Sequence, residues 1–153
     1  LFNTTIKENV EMAEDKDEKQ IKDALKNADA LEFVEKKSDG INYILDNDAN
    51  NLSGGQKQRI LISRAFIANP RIFLLDDITS ALDNKTENIV LNNLFEKVKE
   101  EKITTIITSQ KIKTIKEADK IIVLNNGKIE SIGSHEELLN SSETYKKIYE
   151  IQN

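Results

Sequence analysis

The amino-acid sequence predicts an α/β fold in which helices flank a parallel sheet. Ile72–Leu75 is a continuous apolar run before two acids, a pattern typical of a strand buried on both faces. Asn84 to about Glu101 carries apolar residues at helical spacing, and the β-branched run Ile103–Thr108 indicates a second buried strand. Because strand, helix and strand follow one another in this order, the two strands are expected to be parallel.

The first third of the chain is polar and helical in pattern. One helix is predicted over Glu18–Lys37, where apolar residues recur at helical spacing: Ile21, Leu25, Ala28, Leu31, Phe33 and Val34. Ser38-Asp39-Gly40 is expected to end this helix, with the glycine in the C-cap region. A loop rich in asparagine and aspartate then runs to Asn51, because these side chains compete with regular structure.

The next segment predicts a helix whose first turn is rich in glycine. Leu52-Ser53-Gly54-Gly55-Gln56 precedes a mixed polar and apolar run that is typical of a helix ending near Asn69-Pro70. Ser53 stands at the expected N-cap, with the two glycines in the first turn. Glycines there let a phosphate approach the backbone, and the free N–H groups and positive helix end would hold the anion. The alternative is that glycines after a serine form only a loop.

The last third of the chain predicts a hairpin and two short helices. Ile121–Leu124 and Lys128–Ile132 are strand-like runs that flank Asn125-Asn126-Gly127, a composition typical of a tight turn. Short helices are expected over His135–Leu139 and Thr144–Ile151. The only histidine opens the first of these helices, and a structural role is expected for it.

Composition narrows the classes of function. At 153 residues the chain is one domain or part of one. Its net charge of −5 argues against a basic face for nucleic acid or anionic lipid. The absence of cysteine excludes disulfides and thiolate metal sites. The longest apolar runs are strand-sized, so any membrane link is expected to come through a partner or another segment.

From Leu52 onward the chain reads LSGGQKQRILISRAFIANPRIFLLDDITSALDNKTE, which resembles the nucleotide-binding domain of exporter-type ABC transporters. The resemblance implies a partial P-loop NTPase core plus an ABC α-helical subdomain. Residues 1–69 would form the helical subdomain with the signature motif at residues 52–56, and residues 70–153 the second half of the ATPase core. In this family the signature motif closes over the γ-phosphate of an ATP held by a second, opposing domain. Nucleotide contacts are therefore implied for Ser53, Gly54, Gly55 and Gln56.

The resemblance also assigns roles to three aspartates. Asp76 ends the first strand and matches the Walker B aspartate, which assists Mg²⁺ in P-loop enzymes. Asp77 stands where the family has a glutamate that polarises the attacking water. Its carboxylate is set back by about 1.5 Å, which should leave poor alignment and slow hydrolysis; the alternative is a conservative exchange with little effect. Asp83 closes Ser80-Ala81-Leu82-Asp83, which matches the D-loop at the dimer interface, and is also expected to cap the following helix.

Two further positions depart from the family pattern. Gln110 follows the second strand, where the family has a histidine that contacts the γ-phosphate and positions water. Glutamine can still form hydrogen bonds, but it cannot become cationic or exchange a proton near neutral pH.

Exporter domains often carry a glycine–glutamate–x–glycine loop beside the membrane domain. In the corresponding Asp46-Asn47-Asp48-Ala49, Asn47 replaces the acid and both glycines are missing.

The 153 residues contain no G-x-x-x-x-G-K-[ST] phosphate loop, whose lysine and backbone hold ATP in cis. The chain therefore resembles the C-terminal part of a nucleotide-binding domain and is expected neither to bind ATP tightly nor to hydrolyse it alone. ATP and Mg²⁺ are the expected cofactors of the parent protein. The expected partners are a second, non-identical nucleotide-binding domain and an ABC transmembrane domain, with no nucleic acid, at the cytoplasmic face of the cell membrane.

Three hypotheses follow. The first is one half of an ABC exporter with two unequal ATP sites: Asp77 and Gln110 form the weak site, and the intact signature motif completes the competent site on the partner. The second is an ABC ATPase of translation or DNA repair, against which the acidic charge and the exporter-like C-terminal segment count. The third is a domain that binds nucleotide and regulates by dimerising without turnover. Membrane spans upstream in the parent gene would favour the first.

Overall fold

The structure, a computed structural model, describes residues 1–12, 15–68 and 70–152 and contains two compact units, Leu1–Ile106 and Ile107–Asn153. The first unit comprises α1 (Ile6–Glu11), α2 (Glu18–Asn27), α3 (Leu31–Glu35), 3-10 turns at Gly40–Asn42 and Asn47–Ala49, α4 (Gly54–Ile67), β1 (Ile72–Asp76), α5 (Asn84–Glu101) and the first part of β2 (Thr104–Thr108). The second continues with α6 (Ile112–Ile115), β3 (Ile121–Asn125), β4 (Lys128–Gly133), α7 (His135–Ser141) and α8 (Glu143–Gln152). The predicted functional division between residues 1–69 and 70–153 stays a prediction. Within the described ranges, no helix has the length and apolar character needed to cross a membrane.

The core of the first unit forms where α1 and α2 pack against α4. Ile6 and Val10 of α1, Ile21 and Leu25 of α2, and Ile60 of α4 are all fully buried. Burying an aliphatic side chain of this size contributes about 1.5–3 kcal/mol. This cluster therefore packs α4 against α1 and α2.

The prediction of one helix over Glu18–Lys37 is wrong, because the structure divides it into α2 and α3. The break lies at Asp29, which has a left-handed φ of 54°. The N–H of Ala30 donates to the Leu25 carbonyl at 2.7 Å and closes the end of α2. Apolar spacing continues across the break, so periodicity alone does not reveal it. Gly40, with a φ of 52°, begins a 3-10 turn instead of ending a helix.

The strand–helix–strand order is confirmed. β1 and β2 form a two-stranded parallel sheet, and α5 connects them over the predicted range. The N–H of Thr104 donates to the Arg71 carbonyl at 3.1 Å where β2 begins. The helix predicted after Ser53 is α4, which ends at Ile67 with Ala68 as its C-cap. Asn69, part of its predicted end, lies outside the described residues.

The prediction that β1 is buried on both faces is wrong, and so is the prediction that β2 is a buried strand. Burial alternates along β1: Phe73 and Leu75 are buried, whereas Ile72 is 58% and Leu74 is 75% exposed. On β2, Ile106 is 58% exposed. The apolar composition that predicts two buried faces is present, but one face is uncovered among the described residues.

The second unit contains the predicted hairpin and terminal helices. β3 and β4 pair antiparallel, with an irregularity in register between Val123 and Leu124. Val123 packs in a buried cluster with Leu138 of α7 and Tyr145 of α8. His135 contacts the Tyr145 hydroxyl through Nδ1 at 2.8 Å, and burial raises the pKa of that tyrosine. These contacts are consistent with the structural role expected for the histidine.

Candidate functional site

The helix start at Ser53 is as predicted. The Ser53 hydroxyl accepts a hydrogen bond from the Gln56 N–H at 3.3 Å. In return, the Gln56 side-chain oxygen accepts from the Ser53 N–H at 3.1 Å, which completes a capping box. The side-chain oxygen of Gln56 is thus already engaged in capping α4.

The first turn of α4 leaves two backbone donors unused. The N–H groups of Gly54 and Gly55 form no hydrogen bond within the described part of the chain. Such groups have no acceptor inside a helix, and the helix dipole adds positive character there. Ser53 and Gly54 are exposed. The arrangement fits a phosphate oxygen, which would accept from the amides and the serine hydroxyl.

Gly55 has a second reason to be a glycine, which the sequence did not reveal. A Cβ on Gly55 would lie 3.0 Å from the Ala81 carbonyl oxygen and 3.9 Å from Leu82 Cδ2. The first distance is shorter than ordinary van der Waals contact. A Cβ on Gly54 would meet only Ala81 Cβ, at 3.9 Å. The start of α4 is therefore packed closely against the segment that follows β1.

The two acids at the end of β1 are exposed, as a site for ion and water requires. Asp76 is the last residue of the strand, and Asp77 has a left-handed φ of 46°. The Asp77 carboxylate forms no hydrogen bond or ion pair with the described residues. The Asp77 carbonyl accepts from the Ser80 N–H at 3.3 Å and from the Ser80 hydroxyl at 3.1 Å. Residues 77–81 therefore form a turn, which we call the acid turn.

Asp83 caps α5, as predicted. One oxygen of its carboxylate accepts from the N–H groups of Lys85 and Thr86, both at 3.0 Å. The other oxygen accepts from the Thr86 hydroxyl at 2.8 Å. The hydrogen bonds from Thr86 hold the pKa of Asp83 below its ordinary value. The carboxylate is thus charged and already engaged with the helix start.

Gln58 is a residue of the site that sequence reasoning missed. Its side chain extends from α4 to the acid turn, where the amide contacts the backbone of Asp77 and Ala81 and the Ser80 hydroxyl. Only the spatial arrangement distinguishes it, because α4 carries several polar residues of similar type. No local pattern could have signalled a contact with residues 19 to 23 positions away.

Gln110 lies in the second unit, at an exposed bend after β2. The side chain of Gln152 in α8 holds this bend at two points. Its Nε2 donates to the Gln110 carbonyl at 2.8 Å, and its Oε1 accepts from the Ile112 N–H at 2.8 Å. The backbone at residues 110–112 is therefore fixed from within its own unit, while Gln110 itself is exposed.

The loop before the signature motif is ordered by side-chain contacts. Lys57 of α4 donates to the Asp48 carbonyl at 2.7 Å, and Asn3 donates to the Asn47 side-chain oxygen at 2.9 Å. Asp48 and Ala49 have left-handed φ values of 57° and 51°. A backbone of this kind favours glycine. The loop therefore keeps glycine-like backbone angles although it has no glycine.

The family profile and the similar proteins all relate this chain to ABC transporters. The sequence profile of the ABC transporter family matches residues 1–80. The ATP-dependent lipid A-core flippase of Francisella tularensis subsp. tularensis (strain FSC 198) is 40% identical over 152 residues, which cover 98% of this chain and 25% of the flippase. The uncharacterized ABC transporter ATP-binding protein YfiB of Bacillus subtilis (strain 168) is 46% identical over 153 residues, 99% of this chain and 26% of YfiB.

The structure is also similar to a solved one. A bacterial Atm1-family ABC exporter with ATP bound matches with a TM-score of 0.91 and 33% sequence identity, over 99% of this chain and 27% of the exporter chain. The chain spans about a quarter of the length of the curated relatives that it matches.

Proposed function

Because the chain belongs to the ABC transporter family, we propose that the start of α4 contacts the γ-phosphate of an ATP molecule held by a second, opposing nucleotide-binding domain. The observation that carries this proposal is the exposed first turn, where the Gly54 and Gly55 amides have no partner among the described residues. The Ser53 hydroxyl lies beside them as a third donor, and Gln56 orders the turn through the capping box. Three donors at a positive helix end suit a phosphate anion.

The chain's own ATP site is proposed to be the weaker of two unequal sites. Asp76 would assist Mg²⁺, which in nucleotide sites typically takes one or two carboxylates together with phosphate oxygens and water. Asp77 would face the attacking water with a shorter reach than glutamate, and Gln110 would hydrogen-bond without titrating. Asp83 would reach the domain interface as part of the D-loop. A non-identical partner with glutamate and histidine at the two positions would then carry most of the turnover.

The parent protein is proposed to couple ATP binding and hydrolysis to export across a membrane. Its ATP-binding part would lie at the cytoplasmic face, in contact with a transmembrane domain. The relatives named as a flippase and an exporter support this assignment. The 153-residue chain by itself is proposed not to hydrolyse ATP, since its sequence contains no phosphate loop.

ATP turnover by the full-length parent with its partner tests the proposal. Ser53→Ala removes one phosphate donor and is expected to lower kcat by about 100-fold, the usual effect of losing one such donor. Ser134→Ala is the matched control, because Ser134 caps α7 through an equivalent capping box in the second unit. If Ser53→Ala left turnover intact while Asp77→Asn abolished it, the weak and competent sites would be reversed. Substoichiometric hydrolysis with ATP-dependent dimerisation would instead favour a regulatory domain.

A further inference from the structure

Both polar atoms of the Gln58 side chain bind one turn of the backbone. Its Nε2 donates to the Asp77 carbonyl and to the Ser80 hydroxyl, each at 3.3 Å. Its Oε1 accepts from the Ala81 N–H at 2.9 Å. The half-buried amide of Gln58 thus contacts both ends of the acid turn.

These contacts act on the residue whose carboxylate matters for hydrolysis. The Asp77 carbonyl accepts hydrogen bonds from Gln58 Nε2 and from both the N–H and the hydroxyl of Ser80. These bonds hold the peptide that follows Asp77 in one orientation. Asp77 also has a left-handed φ, and a rotation of this peptide would change the direction of its side chain. The carboxylate itself has no partner among the described residues. The backbone therefore fixes the Asp77 Cα–Cβ bond, from which the carboxylate extends.

Gln58 is also joined rigidly to the phosphate-contacting turn. It follows Gly54 by four residues, about 6 Å along the helix axis at 1.5 Å per residue. Gly55 touches the other end of the acid turn, where a Cβ would lie 3.0 Å from the Ala81 carbonyl. A displacement of the start of α4 would therefore be transmitted to the acid turn at two points.

We propose that Gln58 is a positioning residue, which links the start of α4 to the direction of the Asp77 carboxylate. Through this link, closure of Ser53, Gly54 and Gly55 on the partner's ATP adjusts the geometry of hydrolysis at the chain's own site. The inference rests on the proposed function and extends it: the two ATP sites communicate through one side chain within this chain.

The test measures hydrolysis at the chain's own site. The full-length parent is paired with a partner whose catalytic acid is replaced by its amide, so that the remaining turnover reports the site that contains Asp77. Gln58→Leu removes all three contacts and is expected to lower kcat by about 10-fold or more, the scale of a small misplacement of a reacting group. The KM for ATP is expected to stay unchanged, because both polar atoms of the Gln58 side chain bind the acid turn.

A double-mutant cycle separates positioning from general destabilisation. In an Asp77→Asn background, Gln58→Leu is expected to have little further effect on kcat, because the carboxylate that it positions is gone. An equal fold-loss in both backgrounds would overturn the inference. Gln58→Glu, a second and isosteric variant, keeps an acceptor for Ala81 but places an oxygen against the Asp77 carbonyl, so it is expected to lower kcat as well. Wild-type kcat in Gln58→Glu would also overturn the inference.

Two further variants separate a failure of this inference from a failure of the proposed phosphate contact. Leu61→Gln alters an exposed residue of α4 that follows Gln58 by three positions, and it is expected to leave own-site kcat unchanged. Ser53→Ala tests the proposed phosphate contact separately. If Ser53→Ala lowered turnover while Gln58→Leu did not, the coupling would fail and the proposed function would stand. If Ser53→Ala had no effect, both would fail.

Discussion

At the scale of single residues, Asp77 stands where the family resemblance places a glutamate, and its backbone is left-handed. Its φ of 46° lies in the left-handed region, where aspartate and asparagine are enriched among residues other than glycine. Glutamate lacks this preference, because its longer side chain forms fewer local hydrogen bonds. The aspartate is therefore suited to the acid turn, although it shortens the reach of the carboxylate. Backbone fit favours aspartate at this position, whereas the catalytic role that we propose for its carboxylate would favour the longer glutamate.

Restoring the longer acid tests this conflict directly. Asp77→Glu is expected to raise own-site hydrolysis, because the carboxylate gains one methylene of reach, and to lower the free energy of unfolding by up to about 1 kcal/mol through backbone strain. Own-site kcat and chemical denaturation of the full-length parent measure the two effects. Asp77→Asn is the control: it keeps the left-handed preference and should keep the stability, but it removes the carboxylate. Unchanged kcat in Asp77→Glu would show that reach does not limit hydrolysis.

At the scale of elements, features set by neighbouring residues were predictable, and features set by distant contacts were not. The caps at Ser53 and Asp83 depend on side chains two or three residues from the amides that they bind, so the sequence pattern predicts both. The break at Asp29 was missed because it is held from α4: Arg59 Nη1 donates to the Asp29 carbonyl at 2.5 Å, 30 residues away. The contacts of Gln58 with the acid turn were missed for the same reason. Local side-chain chemistry therefore predicts where helices begin. Helix breaks and long-range side-chain contacts depend on residues that only the fold brings together.

The capping boxes predict how stability depends on pH. Hydrogen bonds from Thr5 hold the pKa of Glu8 below its ordinary value of 4.5, and those from Ser134 do the same for Glu137. A carboxyl whose pKa is lower in the folded state stabilises the fold above its unfolded pKa, and this contribution is lost as the pH falls through the folded value. The free energy of unfolding is therefore expected to fall as the pH is lowered below 4.5. Chemical denaturation at a series of pH values measures this dependence.

Glu137→Gln provides the control for the pH prediction. The amide oxygen of glutamine can still accept from the Ser134 N–H, so the cap is retained while its titration is removed. The acid-induced loss of stability should be smaller in this variant than in the wild type. Equal slopes below pH 4.5 would show that this capping box does not contribute to the acid sensitivity.

At the scale of the whole molecule, each unit exposes one apolar sheet face among the described residues. In the first unit this face includes Ile72, Leu74 and Ile106. In the second unit the hairpin exposes Ile122 and Leu124, together with Ile129 and Ile132. Contiguous apolar surface of this kind usually marks an interface. The strand sequences were recognisable because they have the composition of buried strands, whereas which face is covered depends on contacts that no strand sequence specifies.

These faces predict that the 153-residue chain self-associates. Uncovered apolar strands promote association at micromolar concentrations. Leu74→Lys places a charge on the most exposed residue of the β1 face and is expected to shift the apparent mass in sedimentation toward the monomer. Leu61→Lys is the matched control, because Leu61 is 45% exposed on α4 and belongs to neither sheet. A wild-type chain that stays monomeric across this concentration range, or an equal effect of both substitutions, would contradict a role for the β1 face in association.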